Sequence, residues 1–212
     1  MMVMTHVLVG IAVSAVATVV FPEAAPIALV SGALGGLVPD LDLYVGHRRT
    51  LHFPVYGPLA TLGAVALAVA APSVETVALA TFLAAAGLHA AMDVLGGGLE
   101  LKPWQETSER AVYSHFHGHW LRPRRLVPYD GAPADLVLAG TVALPTLALG
   151  GAVVDPAVVG LLTVAVGYTL LRRRLADCWE RLARLVPPSL ASYLPDRFAT
   201  ARRSTGLPPS DD

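Results

Sequence analysis

Cysteine, lysine and charged residues in general are scarce in this 212-residue sequence. Cys178 is the only cysteine, which excludes an internal disulfide and a thiolate metal cluster within one chain. Charged residues make up 15% of the sequence, against about 25% in soluble domains. Hydrophobic residues reach 54% and the mean hydropathy is +0.58. This balance excludes an ordinary soluble domain, because most of the chain must face something other than water.

Several common enzyme motifs are also missing. The sequence has no Walker loop, no Gly-x-Ser-x-Gly elbow, no dinucleotide-binding fingerprint and no Cys-x-x-Cys pair.

No basic residue precedes the first apolar run, and no small-residue cleavage site follows it. We therefore interpret that run as a membrane helix and not as a cleaved signal peptide.

Six apolar segments predict an all-α, polytopic helical membrane protein. A helix needs about 20 apolar residues to span a bilayer. The third to fifth segments meet this length, whereas the first two and the last have 16, 14 and 15 residues, so whether they fully cross is left open. The segments are residues 7–22, 26–39, 53–71, 74–92, 134–154 and 157–171.

The basic residues predict the orientation of this bundle. If the six segments alternate across a bilayer, all fifteen Lys and Arg residues lie on one side, which holds both termini. The other side receives only Glu23, Glu75 and Asp155. Because basic loops are retained in the cytoplasm, we expect a multi-pass protein of the cell membrane with both termini cytoplasmic.

The chain divides into three predicted parts. Residues 1–171 form the membrane-embedded domain, which includes a cytoplasmic loop at 93–133. Apolar residues at helical spacing predict a C-terminal amphipathic helix on the inner leaflet over 172–198, and residues 199–212 have the composition of a disordered tail. The lipid bilayer explains the basic residues, so no nucleic-acid partner is expected. The oligomeric state is left open.

A dense group of polar residues follows the second apolar segment. Asp40 and Asp42 come directly after Pro39, and His52 opens the third segment. Carboxylates and imidazoles together suit Zn, Mn or Fe, and an open coordination position on such an ion activates water. The alternative is that the two acids are ordinary loop residues or helix caps.

His89 and Asp93 add a second pair at the end of the fourth segment. Their spacing of four residues puts both side chains on one helical face. They can bind one ion, or Asp93 can orient His89 through a hydrogen bond. Six such residues lie at the cytoplasmic ends of four predicted helices, which predicts one shared site for one or more divalent ions. They are His6, Asp40, Asp42, His52, His89 and Asp93.

Two further groups are candidates for binding. Arg48 and Arg49 can hold an anionic substrate group such as phosphate, or they can mark topology and contact lipid headgroups. His115, His117 and His119 alternate, so in an extended strand they would share one face as a second metal cluster. The alternative for these three is a pH-sensitive polar surface that contacts headgroups.

Four runs of the sequence, at residues 5–6, 37–42, 47–52 and 87–93, resemble the membrane-bound metal-dependent hydrolases, a family also described as LexA-binding inner-membrane proteins. The likeness covers about residues 1–105 and implies a helical membrane protein with a divalent-metal hydrolase site. The His-x3-Asp pair also resembles that of zinc-dependent phospholipase C and P1-type nucleases. Family members often have Thr-His-Ser at the second histidine, whereas here Leu51 precedes His52 and Phe53 follows it.

The sequence therefore predicts a metal-dependent hydrolase at the cytoplasmic membrane face, with Asp42 and His89 as catalytic residues. A phosphoester or phospholipid is the expected substrate. The alternative is a non-catalytic protein, either a metal-stabilised scaffold or a transporter. A transporter is expected to place polar groups near the bilayer midplane, whereas these lie at one end.

Overall fold

The computed structural model describes residues 1–149, 151–191, 193–195 and 198. Helices dominate it, which confirms the predicted all-α class. The one sheet of the described residues is an antiparallel hairpin, β1 (Val112–Ser114) and β2 (His119–Leu121). The helices are α1 (Val3–Val20), α2 (Ala25–Leu37), α3 (Tyr56–Ala70), α4 (Val74–Leu95), α5 (Pro133–Leu149), α6 (Val154–Leu185) and α7 (Pro188–Ala191), with 3-10 turns at Pro22–Ala24, Val38–Tyr44 and Pro103–Gln105.

Local sequence explains several helix boundaries. Pro26 lies in the first turn of α2, where its missing N–H costs nothing. Ser73 caps α4 by accepting a hydrogen bond from the backbone N–H of Thr76, and the Ser73 N–H donates to the Thr76 hydroxyl. Pro145 lies inside α5, a position that membrane helices tolerate better than soluble ones.

Four helical stretches are long and apolar enough to cross a membrane: Val3–Val20, Pro22–Tyr44, Val74–Leu95 and Val154–Leu185. The second consists of α2 with its flanking 3-10 turns. Helices α3 and α5 are apolar but shorter. Each of the six predicted apolar segments thus corresponds to one of the helices α1 to α6. Large side chains such as Val16, Val19 and Leu62 are about two-thirds exposed, as expected for surfaces that face lipid.

Helix α1 lies at the centre of the bundle and contacts α2, α4, α5 and α6, while α4 also contacts α2 and α3. Residues without bulky side chains allow this close packing. A Cβ atom on Gly32 would overlap the backbone of Gly10, and one on Gly36 would overlap the carbonyl of His6. The start of α1 therefore lies against the end of α2.

Helix α6 differs from its prediction. It continues without a break for 32 residues, so the predicted amphipathic helix begins inside it and not as a separate element at residue 172. No Pro or Gly interrupts residues 168–186, and only the polarity of the pattern changes. At about 1.5 Å per residue α6 is roughly 48 Å long, which exceeds a hydrocarbon core of about 30 Å. The predicted disordered tail, 199–212, lies outside the described residues.

Two carboxylates, the buried Asp135 and the partly exposed Asp130, attach the outer segments to the bundle. Asp135, in the first turn of α5, accepts hydrogen bonds from the backbone N–H of Met2 at 2.7 Å and from the Thr5 hydroxyl at 2.7 Å. Asp130, in the loop before α5, pairs with Arg172 of α6 at 3.0 Å. These contacts fix the start of α1 and the connection from α4 to α5 at the same end of the bundle.

Candidate metal centre

Four side chains from three segments meet at this end of the bundle: Asp40, His52, His89 and Asp93. One ligand atom of each lies within 4.8 Å of the others. Asp40 comes from the 3-10 turn after α2, His52 from the loop before α3, and the other two from the end of α4. The predicted convergence of helix ends is therefore present in the structure, and this group can hold a metal ion. Their roles as ligands stay predictions.

Two ring nitrogens of the cluster point at one carboxylate oxygen. His52 Nε2 lies 3.3 Å from Asp93 Oδ2, and His89 Nε2 lies 3.6 Å from the same atom and 3.5 Å from Asp40 Oδ1. Both nitrogens are buried and find no hydrogen-bond partner among the described residues. Buried polar atoms are normally satisfied, so these two require a proton or a metal ion between them and the carboxylates.

Hydrogen bonds on the opposite ring nitrogens orient both histidines. His89 Nδ1 donates to the backbone carbonyl of Gly36 at 2.7 Å, because a carbonyl can only accept. His52 Nδ1 lies 3.1 Å from Asp42 Oδ2. In the neutral form each ring therefore presents the lone pair of Nε2 to the cluster, which is how metal-binding histidines are commonly held.

Asp42 lies behind His52 and not among the four clustered side chains. Its carboxylate is buried and accepts hydrogen bonds from the backbone N–H groups of Arg48, Arg49 and Leu51 at 3.1–3.2 Å. It also contacts His47 Nδ1 at 3.2 Å. These contacts occupy both oxygens, so in this arrangement Asp42 positions His52. Its predicted roles as a ligand and a catalytic residue are not tested by this geometry.

The charge of Asp42 also affects His52 electrostatically. Burial lowers the pKa of His52, but the interactions with the Asp42 and Asp93 carboxylates outweigh burial, and the pKa is raised above its ordinary value. The ring therefore holds a proton more tightly than an ordinary histidine, and a metal ion at Nε2 would have to displace that proton.

Asp93 is surrounded by further basic groups. Arg48 Nε lies 3.0 Å from Asp93 Oδ2, and His6 Nε2 lies 3.2 Å from Oδ1, where the amino group of Met1 also makes contact at 2.8 Å. The ring of His6 stacks on that of His89, with centroids 3.6 Å apart. His6 thus adjoins the cluster but is not one of its four members.

The two predicted substrate-binding arginines occupy different surroundings. Arg48 is 7% exposed and also donates from Nη1 to the carbonyl of Gly97 at 2.9 Å. Its guanidinium therefore binds Asp93 and the loop that follows α4. Arg49 is exposed, and its guanidinium lies over the ring of Tyr113 at 4.7 Å. Its placement leaves it available to an anionic group.

The three alternating histidines do not share a strand face. The chain turns between β1 and β2, so that His115 and His117 lie in the turn and His119 begins β2. The expectation of one extended strand is therefore wrong, because the loop residue Gly118, at φ +71°, permits a tight reversal. His115 donates to the carbonyl of Arg49, and His117 contacts Ser114. Within the described residues the three join no metal-type group.

Sequence reasoning missed some residues that shape the site. Gly36 orients His89, and Asp135 fixes the start of α1 near His6. The signal for Gly36 was its place in a small-residue face of α2, which predicts a close helix contact but not a hydrogen bond through its carbonyl. Asp135 gave no signal beyond that of an acid near a helix start.

Cavities lie beside the cluster. Asp40, whose side chain is 15% exposed, borders a cavity of about 160 Å³, whereas the other three members are at most 1% exposed. A second cavity of about 890 Å³ shares four lining residues with the first: Leu43, His47, Leu99 and Glu100. Three members of the cluster are therefore shielded from solvent, and Asp40 borders the smaller cavity.

No protein-family model, no curated protein and no solved structure matches this chain. The fold and the cluster alone define its class, which is a protein of membrane-type apolar helices with a candidate metal centre at one end of the bundle.

Proposed function

We propose that this protein is a membrane-embedded, metal-dependent hydrolase that acts on a phosphoester or a phospholipid. The resemblance of residues 1–105 to the membrane-bound metal-dependent hydrolases supports this proposal, although no family model matches. The observation that carries it is the position of Asp40. Of the four clustered side chains it is the one that borders a cavity, so a substrate and a water molecule have a path to an otherwise buried site.

The donor set fits a divalent cation. Two imidazole nitrogens and two carboxylates suit Zn, Mn or Fe, and the unpartnered His52 Nε2 and His89 Nε2 already point at a shared carboxylate oxygen. A divalent ion with an open coordination position supplies activated water for hydrolysis. Asp40, His52, His89 and Asp93 would hold it, Asp42 would orient His52, and Arg49 would bind an anionic substrate group.

The proposed site faces the cytoplasm. All fifteen Lys and Arg residues lie on one side when the six segments alternate, and the cluster lies at the helix ends of that side. A substrate would therefore reach the site from the inner leaflet or from the cytosol.

A second candidate is a non-catalytic scaffold. It is favoured by the burial of His52, His89 and Asp93. An ion held by these three side chains would join α4 to the loop before α3, and neither substrate nor water would reach it. The two functions differ in one property, because a hydrolase keeps a water-bearing coordination position and a scaffold encloses its ion.

Metal analysis and hydrolysis assays test the proposal. We expect the purified protein to hold about one divalent ion per chain, because the four side chains form one cluster. Bis(p-nitrophenyl) phosphate and phospholipid in mixed micelles serve as substrates. His52→Gln and His89→Gln are expected to lose both metal and hydrolysis, while Glu23→Gln, at the opposite end of the bundle, keeps both.

A wild-type protein without stoichiometric metal would overturn the proposal. Metal without turnover of any phosphoester would favour the scaffold instead. The circular dichroism spectrum of each variant establishes that the helices are intact, so that a loss of metal is not a loss of fold.

A further inference from the structure

The larger cavity is bordered by the hairpin, the loop after α2 and the segment 99–110. Its volume of about 890 Å³ lies in the range of small-molecule sites. Four residues line both this cavity and the smaller one beside Asp40. A molecule in the larger cavity would therefore lie next to the smaller cavity, which borders Asp40 of the candidate metal centre.

Three of the six charged residues that line it are already paired: Lys102, Glu109 and Glu180. Lys102 Nζ contacts Asp177 at 2.7 Å and Glu180 at 2.6 Å. Glu109 pairs with Arg125 at 3.2 Å. Glu180 also pairs with Arg184 at 2.7 Å, so these groups together contribute little net charge to the cavity.

Arg49 and Arg110 are different. Within the described part of the chain neither guanidinium forms an ion pair with a carboxylate. Of the three lining acids, Glu109 and Glu180 pair with basic residues, and Glu100 lines both cavities, whereas the two arginines line only the larger one. Among the lining side chains that have no ion pair within the described residues, the two arginines therefore outnumber the one acid, Glu100, and leave an excess of positive charge.

Aromatic rings of the hairpin hold both guanidiniums in place. Arg49 lies over Tyr113 at 4.7 Å, and Arg110 lies over Trp120 at 5.8 Å. Tyr113 and Trp120 are direct partners in the β1 and β2 register, and their rings pack edge to face at 5.6 Å. Contacts of this kind restrain long side chains and so reduce the entropy lost when a ligand binds.

We infer that Arg49 and Arg110 form a binding site for a phosphate group, braced by the Tyr113–Trp120 pair of the hairpin. Guanidinium groups bind phosphate through paired hydrogen bonds, and two restrained arginines in one cavity suit a phosphomonoester or a phosphodiester. The inference rests on the proposed function only for the link to hydrolysis. The phosphate site itself is independent of metal.

Binding to chelator-treated, metal-free protein tests the inference. The probes are sn-glycerol 3-phosphate, titrated by calorimetry, and phosphatidic acid in phosphatidylcholine nanodiscs, which separate a soluble phosphoester from a lipid headgroup. We expect saturable binding of at least one probe. Arg49→Gln and Arg110→Gln should each weaken it about tenfold, since each removes a charge-assisted hydrogen bond.

Two further variants separate a built site from general surface charge. Arg122→Gln removes an 83% exposed arginine that does not line the cavity, and its affinity should stay within about twofold of the wild type. Trp120→Leu keeps every charge and removes one brace, so a loss of roughly threefold is expected.

Absence of saturable binding of both probes would overturn the inference, as would an equal loss in Arg122→Gln. Binding that depends on Arg49 and Arg110 in a protein that never holds metal would uphold this site and refute the proposed hydrolase. Metal-dependent hydrolysis that is unchanged in Arg49→Gln and Arg110→Gln would refute this phosphate site and uphold the proposed hydrolase.

Discussion

His89 donates its Nδ1 proton to the backbone carbonyl of Gly36 at 2.7 Å, and this bond joins the end of α4 to the end of α2. Gly36 also has no side chain to separate α2 from α1, where the carbonyl of His6 occupies the space that a Cβ would need. Gly36 thus sets both the ring orientation of His89 and the position of His6. The rings of these two histidines stack on each other.

Gly36→Ala should therefore disturb the candidate metal centre without changing any ligand. The added methyl group forces α1 away from α2, and overpacking of this kind costs about 1–3 kcal/mol. We expect a lower melting temperature in detergent and weaker metal binding. Gly63→Ala in α3 is the matched control, because nothing lies within 4 Å of the added atom. Equal behaviour of the two variants would contradict this role of Gly36.

Asp42→Asn should weaken metal binding while leaving all four clustered side chains in place. The amide can no longer accept every bond that the carboxylate receives, and His52 loses its charged partner. Residues that orient a ligand typically contribute about 10–100-fold to metal affinity. Competition with a fluorescent chelator measures this change, with Glu23→Gln as the reference. Complete loss of stoichiometric metal would instead identify Asp42 as a ligand.

The Asp130 and Arg172 pair predicts a pH dependence of stability. Burial raises the pKa of Asp130, but the charge of Arg172 and the bond from Tyr168 outweigh it and leave the pKa below its ordinary value. A depressed folded-state pKa stabilises the fold above the unfolded value of about 3.9, and this contribution is lost as the pH falls through the folded-state pKa.

Asp130→Asn is expected to lower stability by about 2 kcal/mol at pH 7, since it removes a charged hydrogen-bond partner. The difference in melting temperature from the wild type should stay constant from pH 8 to pH 6 and shrink below about pH 4. A difference that grows on acidification has the opposite sign and would refute the assignment.

Cys178 provides a native reporter of orientation. It is exposed on the part of α6 that continues beyond Arg172, at the same end of the bundle as the cluster. We expect a membrane-impermeant maleimide to label it in inverted vesicles but not in right-side-out vesicles. Glu23→Cys in a Cys178→Ala background should show the opposite pattern, because Glu23 follows α1 at the other end. Labelling of both cysteines from one side would reject the alternating arrangement.

The helices of this fold could be predicted because long apolar runs ended by Pro, Ser or charged residues are a local signal. The helical spacing of His89 and Asp93 is also local, and the placement of His52 and Asp40 near them followed from alternation of the segments. The continuity of α6 could not be read from polarity alone, since a helix does not need to end where its environment changes.

Other parts of the site depend on contacts between distant segments. Arg48 looked like a surface cation in the sequence, yet the structure buries it against Asp93, 45 residues further along the chain. The role of Asp42 behind His52 depends on the loop 45–51 wrapping its backbone N–H groups around the carboxylate. Neither arrangement produces a spacing pattern in the sequence from which it could be predicted.

The contacts of Asp135 with Met2 and Thr5 have a consequence for the way this bundle can be divided. The four clustered side chains and His6 lie in the first 93 residues, and yet the segment that carries His6 is tethered by a carboxylate from α5. A fragment truncated after residue 132 would keep the full set of coordinating groups and lose the anchor of its first helix. We therefore expect such a fragment to hold the start of α1, and with it His6, less firmly than the whole chain does.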